Sequence, residues 1–255
     1  MLTSVRGLLA ASVLAGSLLA ATPAFAEDEA EATPDIKITA NVAGVTDYRF
    51  RGVSLSGGDF AIQGGFDVTH KSGFYVGTWA SSIVGGSPYG EVELDLYGGW
   101  TGMVADGVTV DLGLLYYAYP TGDDPFNTDP DTDYFEPYAS VAFTIGPVTG
   151  TVGAAYAWDQ DSLGDNDNLY LYTDWAVGIP STPVTLTAHL GYTDGVLAPP
   201  LLAGTGDDSG FDWGITASTK VYGPMSASIG YVGVEGPSID GFTDDAIVAT
   251  LSFAI

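Results

Sequence analysis

The chain has 255 residues, with 6 Lys plus Arg against 32 Asp plus Glu and no cysteine. A formal net charge of −26 repels nucleic acid, and the missing thiols exclude disulfides, cysteine–metal sites and cysteine nucleophiles. Disorder is excluded as well, because 46% of residues are hydrophobic and 12% aromatic, too much apolar surface for an unfolded acidic chain.

The first predicted element is an address. Arg6 is the only charge before Glu27, Leu8 to Ala21 is almost wholly apolar, and Ala24-Phe25-Ala26 is a small-residue cleavage site. This is the pattern of a secretory signal peptide over residues 1–26, cut between Ala26 and Glu27. The apolar run is shorter than the ~20 residues of a spanning helix. Residues 27–34 are acidic and Ala-rich and end in Pro34, a flexible lead-in. Everything from 35 to 255 reads as one domain.

From Ile36 onward, apolar residues recur at every second position. Side chains alternate faces along a strand, so each such run is a strand with one apolar and one polar face. Twelve segments follow in order: 36–50, 59–69, 73–82, 91–101, 108–119, 133–144, 148–158, 168–179, 184–193, 211–220, 225–234 and 244–255. The third is irregular, because Tyr75 and Trp79 fall opposite Phe74 and Val76. Most segments exceed the ~5–6 residues of strands in globular sheets and match the ~9–11 of a tilted membrane-spanning strand. The links alternate. Those at 70–72, 102–107, 145–147, 180–183 and 221–224 are short, and those at 51–58, 83–90, 120–132, 159–167, 194–210 and 235–243 are long. Even strand number, short periplasmic turns and long outer loops are the grammar of an outer-membrane barrel. The expected fold is therefore an all-β, antiparallel, up-and-down transmembrane barrel of twelve strands, with both termini on the short-turn side.

The polar phase should face the lumen. It carries Asp47, Asp67, Glu91, Glu93, Asp95, Asp111, Glu136, Asp174 and Asp212 against Lys37, Arg49, Arg51 and Lys220, and no charge falls on the apolar phase of a segment interior. Tyr97, Tyr117, Tyr119, Tyr138, Tyr170 and Tyr172 share the inward phase, either as a path for planar solutes or as packing. Phe50, Phe60, Trp100, Phe143, Trp158, Tyr192, Phe211 and Trp213 lie near segment ends in the apolar phase, where interfacial girdles sit. A twelve-stranded lumen should be narrower than the channel of a 16–18-stranded porin. Its acidic wall should concentrate cations.

Motifs for chemistry are missing. There is no G-x-S-x-G, P-loop or H-E-x-x-H. His189, on the polar face of its strand, is a general-base candidate without a marked nucleophile. Asp159, Asp161, Asp165 and Asp167 resemble a calcium loop, but Leu163 occupies a ligand position and Tyr170 replaces the terminal Glu. The reading is thus a non-enzyme without metal or cofactor. The acidic loops at Asp123, Asp124, Asp129, Asp131 and Asp133 and at Asp207 and Asp208 read either as weak divalent-cation sites near anionic lipopolysaccharide or as a solvated outer surface.

The N-terminal half also carries a resemblance. Asp47-Tyr48-Arg49-Phe50-Arg51-Gly52, then Ala61-Ile62-Gln63-Gly64-Gly65-Phe66-Asp67, then Ser72-Gly73-Phe74-Tyr75-Val76-Gly77-Thr78-Trp79-Ala80-Ser81, then Glu93-Leu94-Asp95-Leu96-Tyr97-Gly98-Gly99-Trp100 resemble the TorF family of porins, catalogued as conserved hypothetical bacterial outer-membrane proteins. Beyond residue 101 the likeness fades into generic barrel pattern. The resemblance implies an outer-membrane channel of a Gram-negative bacterium and supplies no solute and no catalytic residue. The last strand, alternating apolar to Phe253 and Ile255, resembles the C-terminal signal read by the barrel-assembly machinery. The expected partners are outer-membrane lipid, lipopolysaccharide, that machinery and small solutes. The expected function is a narrow, cation-preferring porin. The rival is a non-conducting structural or adhesive barrel.

Overall fold

A computed structural model describes residues 35–122 and 132–255. The expected signal segment and lead-in and the acids at 123, 124, 129 and 131 lie outside the described residues. Twelve long strands form the wall: β1 (Ile36–Val45), β4 (Ala61–His70), β5 (Phe74–Gly85), β6 (Gly90–Ala105), β7 (Val108–Ala118), β8 (Tyr134–Ile145), β9 (Val148–Gln160), β10 (Asn166–Gly178), β11 (Val184–Gly195), β12 (Ser209–Tyr222), β13 (Met225–Val234) and β14 (Ala246–Ala254). Each pairs antiparallel with its neighbours in chain order, and β14 closes on β1 through Asn41↔Ala254 to Val45↔Thr250. Closure removes the sheet edges, which no spanning sheet can leave unpaired in lipid.

The alternation sorts the two faces as the sequence predicts. Ile38, Ile62, Val76, Ile215 and Ile247 are between 60% and 70% exposed on the outside, while Gln63, Ser81, Glu93, Asp111, Asp212 and Ser252 are buried within. An apolar exterior around a polar interior is the inverse of a soluble barrel and the arrangement that lipid requires. The irregular third segment resolves in the same way. Phe74 and Val76 point out, and Tyr75 points in and is 7% exposed.

The links depart from the sequence reading at two places. Strand β5 runs to Gly85 and β6 starts at Gly90, so the connection expected at 83–90 shrinks to the four-residue turn α1 (Gly86–Tyr89). The first segment, expected at 36–50, ends at Val45. Beyond it the chain leaves the wall and folds into the barrel as a miniature hairpin, β2 (Arg49–Phe50) and β3 (Val53–Ser54). Its two-residue turn has Arg51 at φ 48° and Gly52 at φ 79°, the type I′ pattern that normally selects Asn-Gly or Asp-Gly. The tip fits closely, because a Cβ on Gly52 would stand 2.3 Å from Val234 Cγ1. Phe50 therefore belongs to the interior, packed against the core around Tyr117, and is no part of a lipid girdle.

Candidate functional site: the barrel lumen

The strand phase brings most of the predicted polar set to one interior. Asp47, Arg49, Arg51, Glu93, Asp95, Asp111, Glu136 and Asp212 are buried. Asp67 and Asp174 are half-buried farther toward the periplasmic end. Lys37, Glu91 and Lys220 share the inward phase but are exposed at strand ends.

The hairpin spans the outer half of the lumen and is held from several directions. Arg49 bonds Asp47 through Nε, Asp244 Oδ1 through Nη2 at 3.0 Å, and the Asp244 and Gly52 carbonyls through Nη1 at 2.6 and 3.2 Å. Asp47 also accepts from the Ser54 and Ser56 hydroxyls at 2.6 and 3.2 Å. Across the lumen, Arg51 Nη2 reaches both oxygens of Glu136 at 2.7 Å. The Arg51 guanidinium also lies 4.2 Å from the Tyr170 ring centroid, a cation–π contact in a desolvated setting. Tyr48 turns inward, packs edge-on against Trp79 and donates to Glu93 at 2.7 Å. Burial, with Glu93 beside it, pushes the Tyr48 hydroxyl well above its ordinary pKa, so it stays a donor.

Below and around the hairpin, tyrosine hydroxyls hold carboxylates. Tyr97 donates to Asp67 at 2.6 Å, Tyr75 to Asp111 at 2.6 Å, Tyr117 to Glu136 at 3.1 Å and Tyr170 to Asp212 at 3.3 Å. With Tyr48 on Glu93, five lumen carboxylates each take a tyrosine. A hydroxyl donor satisfies a carboxylate without cancelling its charge. The tyrosine rings lie over glycines of adjacent strands. A Cβ on Gly113 would meet the Tyr138 ring at 2.3 Å, and one on Gly153 the Tyr172 ring at 2.3 Å. The same arrangement recurs at Gly77 under Tyr97 and Gly99 under Tyr75.

His189 is wedged between two carboxylates, with Nδ1 2.7 Å from Asp174 and Nε2 2.9 Å from Asp212. Tyr170 OH also approaches Nε2 at 2.9 Å. Its ring nitrogens meet acids and a phenol, with no serine hydroxyl among their bonded partners. The geometry is that of a brace across β10, β11 and β12. Among the described residues, no group of three or more His, Asp or Glu is placed to hold a metal ion.

Sequence reasoning missed three interior aromatics. Tyr48 falls in the same even-numbered phase as the outward Ile36 and Ile38, so position along the chain alone does not mark it as interior once the chain leaves the wall. Tyr134 stacks on Tyr117 at 4.4 Å, a contact set by register. Tyr75 did leave a signal, since it breaks the phase of Phe74 and Val76.

A sequence model for a bacterial protein family of unknown function, Gcw_chp, matches residues 29–252. The chain belongs to the Gcw_chp family. No curated protein matches it in sequence. In fold it is similar to the NanC porin, with a TM-score of 0.56 at 11% identity over 84% of this chain and 98% of that one. It is also similar to an outer-membrane channel from Pseudomonas putida F1, with a TM-score of 0.51 at 12% identity over 90% and 98% of the two chains. At those identities the likeness concerns the fold, and this Gcw_chp chain has the architecture of outer-membrane channels.

Proposed function

We propose that the protein is an outer-membrane porin whose narrow lumen passes small solutes with a preference for cations. The observation that carries this reading is the tyrosine–carboxylate lining. Five lumen carboxylates accept from tyrosine hydroxyls. Glu136 is also paired with Arg51 and Asp212 with His189, while Glu93, Asp67 and Asp111 have no cationic partner among the described residues, so their charge stays in a low-dielectric wall that focuses it. The lumen arginines are engaged with Asp47, Asp244 and Glu136, and the two lysines stand at exposed strand ends. The likeness of the fold to a porin and a channel supports the reading, as does the resemblance of the N-terminal blocks to the TorF porins. In the same proposal, residues 1–26 direct export with cleavage at Ala26–Glu27. The C-terminal strand addresses the assembly machinery, the apolar belt faces lipid and lipopolysaccharide, and the protein carries no enzyme activity.

A second reading has its own observation. The outer half of the lumen is packed, with Leu115, Tyr117 and Tyr134 at 1%, 3% and 5% exposure, which fits a non-conducting structural or adhesive barrel. Planar-bilayer recording of refolded protein separates the two. The porin reading expects discrete conductance steps, and a silent bilayer with correctly folded barrel contradicts it.

A further inference from the structure

One lumen carboxylate breaks the pattern. Asp95, on β6 two residues from Glu93, is 0% exposed, and neither of its oxygens has a hydrogen-bond partner. Its cross-strand neighbour on β7 is Tyr117, which gives its hydroxyl to Glu136 instead. Other charged groups at the hairpin tip are also incompletely met. Arg51 leaves Nη1 without an acceptor, and Asp212 leaves Oδ2 without a donor. Asp212 Cβ lies 3.0 Å from where a Cβ on Gly52 would be. Burying charge without partners is among the most costly arrangements in a fold. The tip also holds Arg51 in left-handed backbone, at φ 48°, a conformation that a non-glycine residue keeps only under constraint.

The hairpin is uneven in how it is held. Its base is saturated, with Arg49 bonded to two carboxylates and two carbonyls and Ser54 N–H donating to the Phe242 carbonyl at 2.8 Å. Its tip has a single salt bridge, Arg51 to Glu136, beside the cation–π contact of Arg51 with Tyr170 and the packing of Gly52 on Val234.

We propose that the β2–β3 hairpin is a gate, anchored at Arg49 and latched by Arg51 on Glu136, and that its withdrawal hydrates Asp95 and presents it as the carboxylate that selects small inorganic cations. The inference rests on the porin reading. Closure desolvates Asp95, and opening releases that penalty. Cations that pair with Asp95 only in the open state shift the population toward it. A single carboxylate with water around it holds an ion weakly enough to let it leave, which conduction requires.

The absence of native cysteine permits a direct test. Asp95→Cys places one thiol at a site with no exposure in the closed arrangement. A membrane-impermeant maleimide should label it slowly in the refolded barrel, and about tenfold or more faster when Arg51→Gln removes the latch. Circular dichroism checks that both variants fold. Separately, Arg51→Gln alone should raise conductance above that of the unmodified barrel. A thiol at position 95 that is labelled at the same rate with and without the latch overturns the gate, as does an Arg51→Gln barrel that conducts like the unmodified one. A silent wild-type bilayer defeats the porin reading, while the labelling rates still decide whether the hairpin moves.

Discussion

The outer and periplasmic halves of the lumen are built from the same residue types and end up as different materials. In the outer half, Tyr48, Tyr117 and Tyr134 pack with Leu115 and the hairpin into a core as dry as that of a soluble protein. In the periplasmic half, Tyr75 and Asp111 are still buried, but Tyr97, Tyr172, Asp67 and Asp174 are half-buried. The difference is the inserted hairpin. A twelve-stranded wall leaves a space that its own side chains do not fill, and a loop of the chain itself completes the packing where it enters. Tyrosine suits both settings, because the ring packs and the hydroxyl serves a carboxylate. In the proposed channel, the filled half sets the bore and the more open half sets the field that an entering ion meets.

The comparison makes the outer half the more fragile to charge deletion. Arg51→Gln leaves buried Glu136 with only the Tyr117 hydroxyl, and Glu136→Gln strands a buried guanidinium. Removing one partner of such a pair costs about 3–5 kcal/mol, read as the urea midpoint for folding into lipid vesicles. A shift of a few tenths of a kcal/mol would show that the pair is hydrated and the outer half not dry. Next in size is a test of which face meets lipid. Leu112→Arg puts a charge on the outer surface, where Leu112 is 50% exposed, and should cost about 2–4 kcal/mol near the midplane. Asp111→Asn, one residue away on the lumen face, should cost far less. Equal effects would displace the register by one residue, since such a slip exchanges the two faces.

Smaller effects sharpen the contrast between halves. Gly113→Ala sets a methyl against the Tyr138 ring at 2.3 Å and should cost about 1–3 kcal/mol through overpacking. Smallest is Tyr97→Phe, which takes the phenolic donor from half-buried Asp67. It should cost about 0.5–1.5 kcal/mol, because water replaces the hydroxyl there. The corresponding Tyr117→Phe in the dry half should cost more, and the ratio of the two measures how different the halves are.

Much of the wall was legible in the sequence. The period-2 alternation located all twelve strands, with two residues added at each end of a longer strand such as β12. It also placed Asp95, Asp111, Glu136 and Asp212 on the inner face, because a strand's two faces follow from counting alone. Two things were beyond that reach. The inward turn after Val45 is marked only by an inverted pair, Val45-Thr46, after which the alternation resumes through Tyr48 and Phe50, and its Arg51-Gly52 turn lacks the usual Asn-Gly signature. The tyrosine–carboxylate pairs join strands through register, as Tyr97 on β6 joins Asp67 on β4, and strand-to-strand register is not written in any single segment. The irregular phase of Tyr75 was the one local trace of that network.

In the proposed channel an acidic lumen, its carboxylates held by tyrosine hydroxyls, favours cations. The reversal potential of single channels in asymmetric potassium chloride measures it directly. The predicted sign is that of potassium permeating faster than chloride, with a preference that weakens as salt rises and the Debye length falls from ~10 Å at 0.1 M to ~3 Å at 1 M. A reversal potential of the opposite sign, with chloride the faster ion, would contradict the claim.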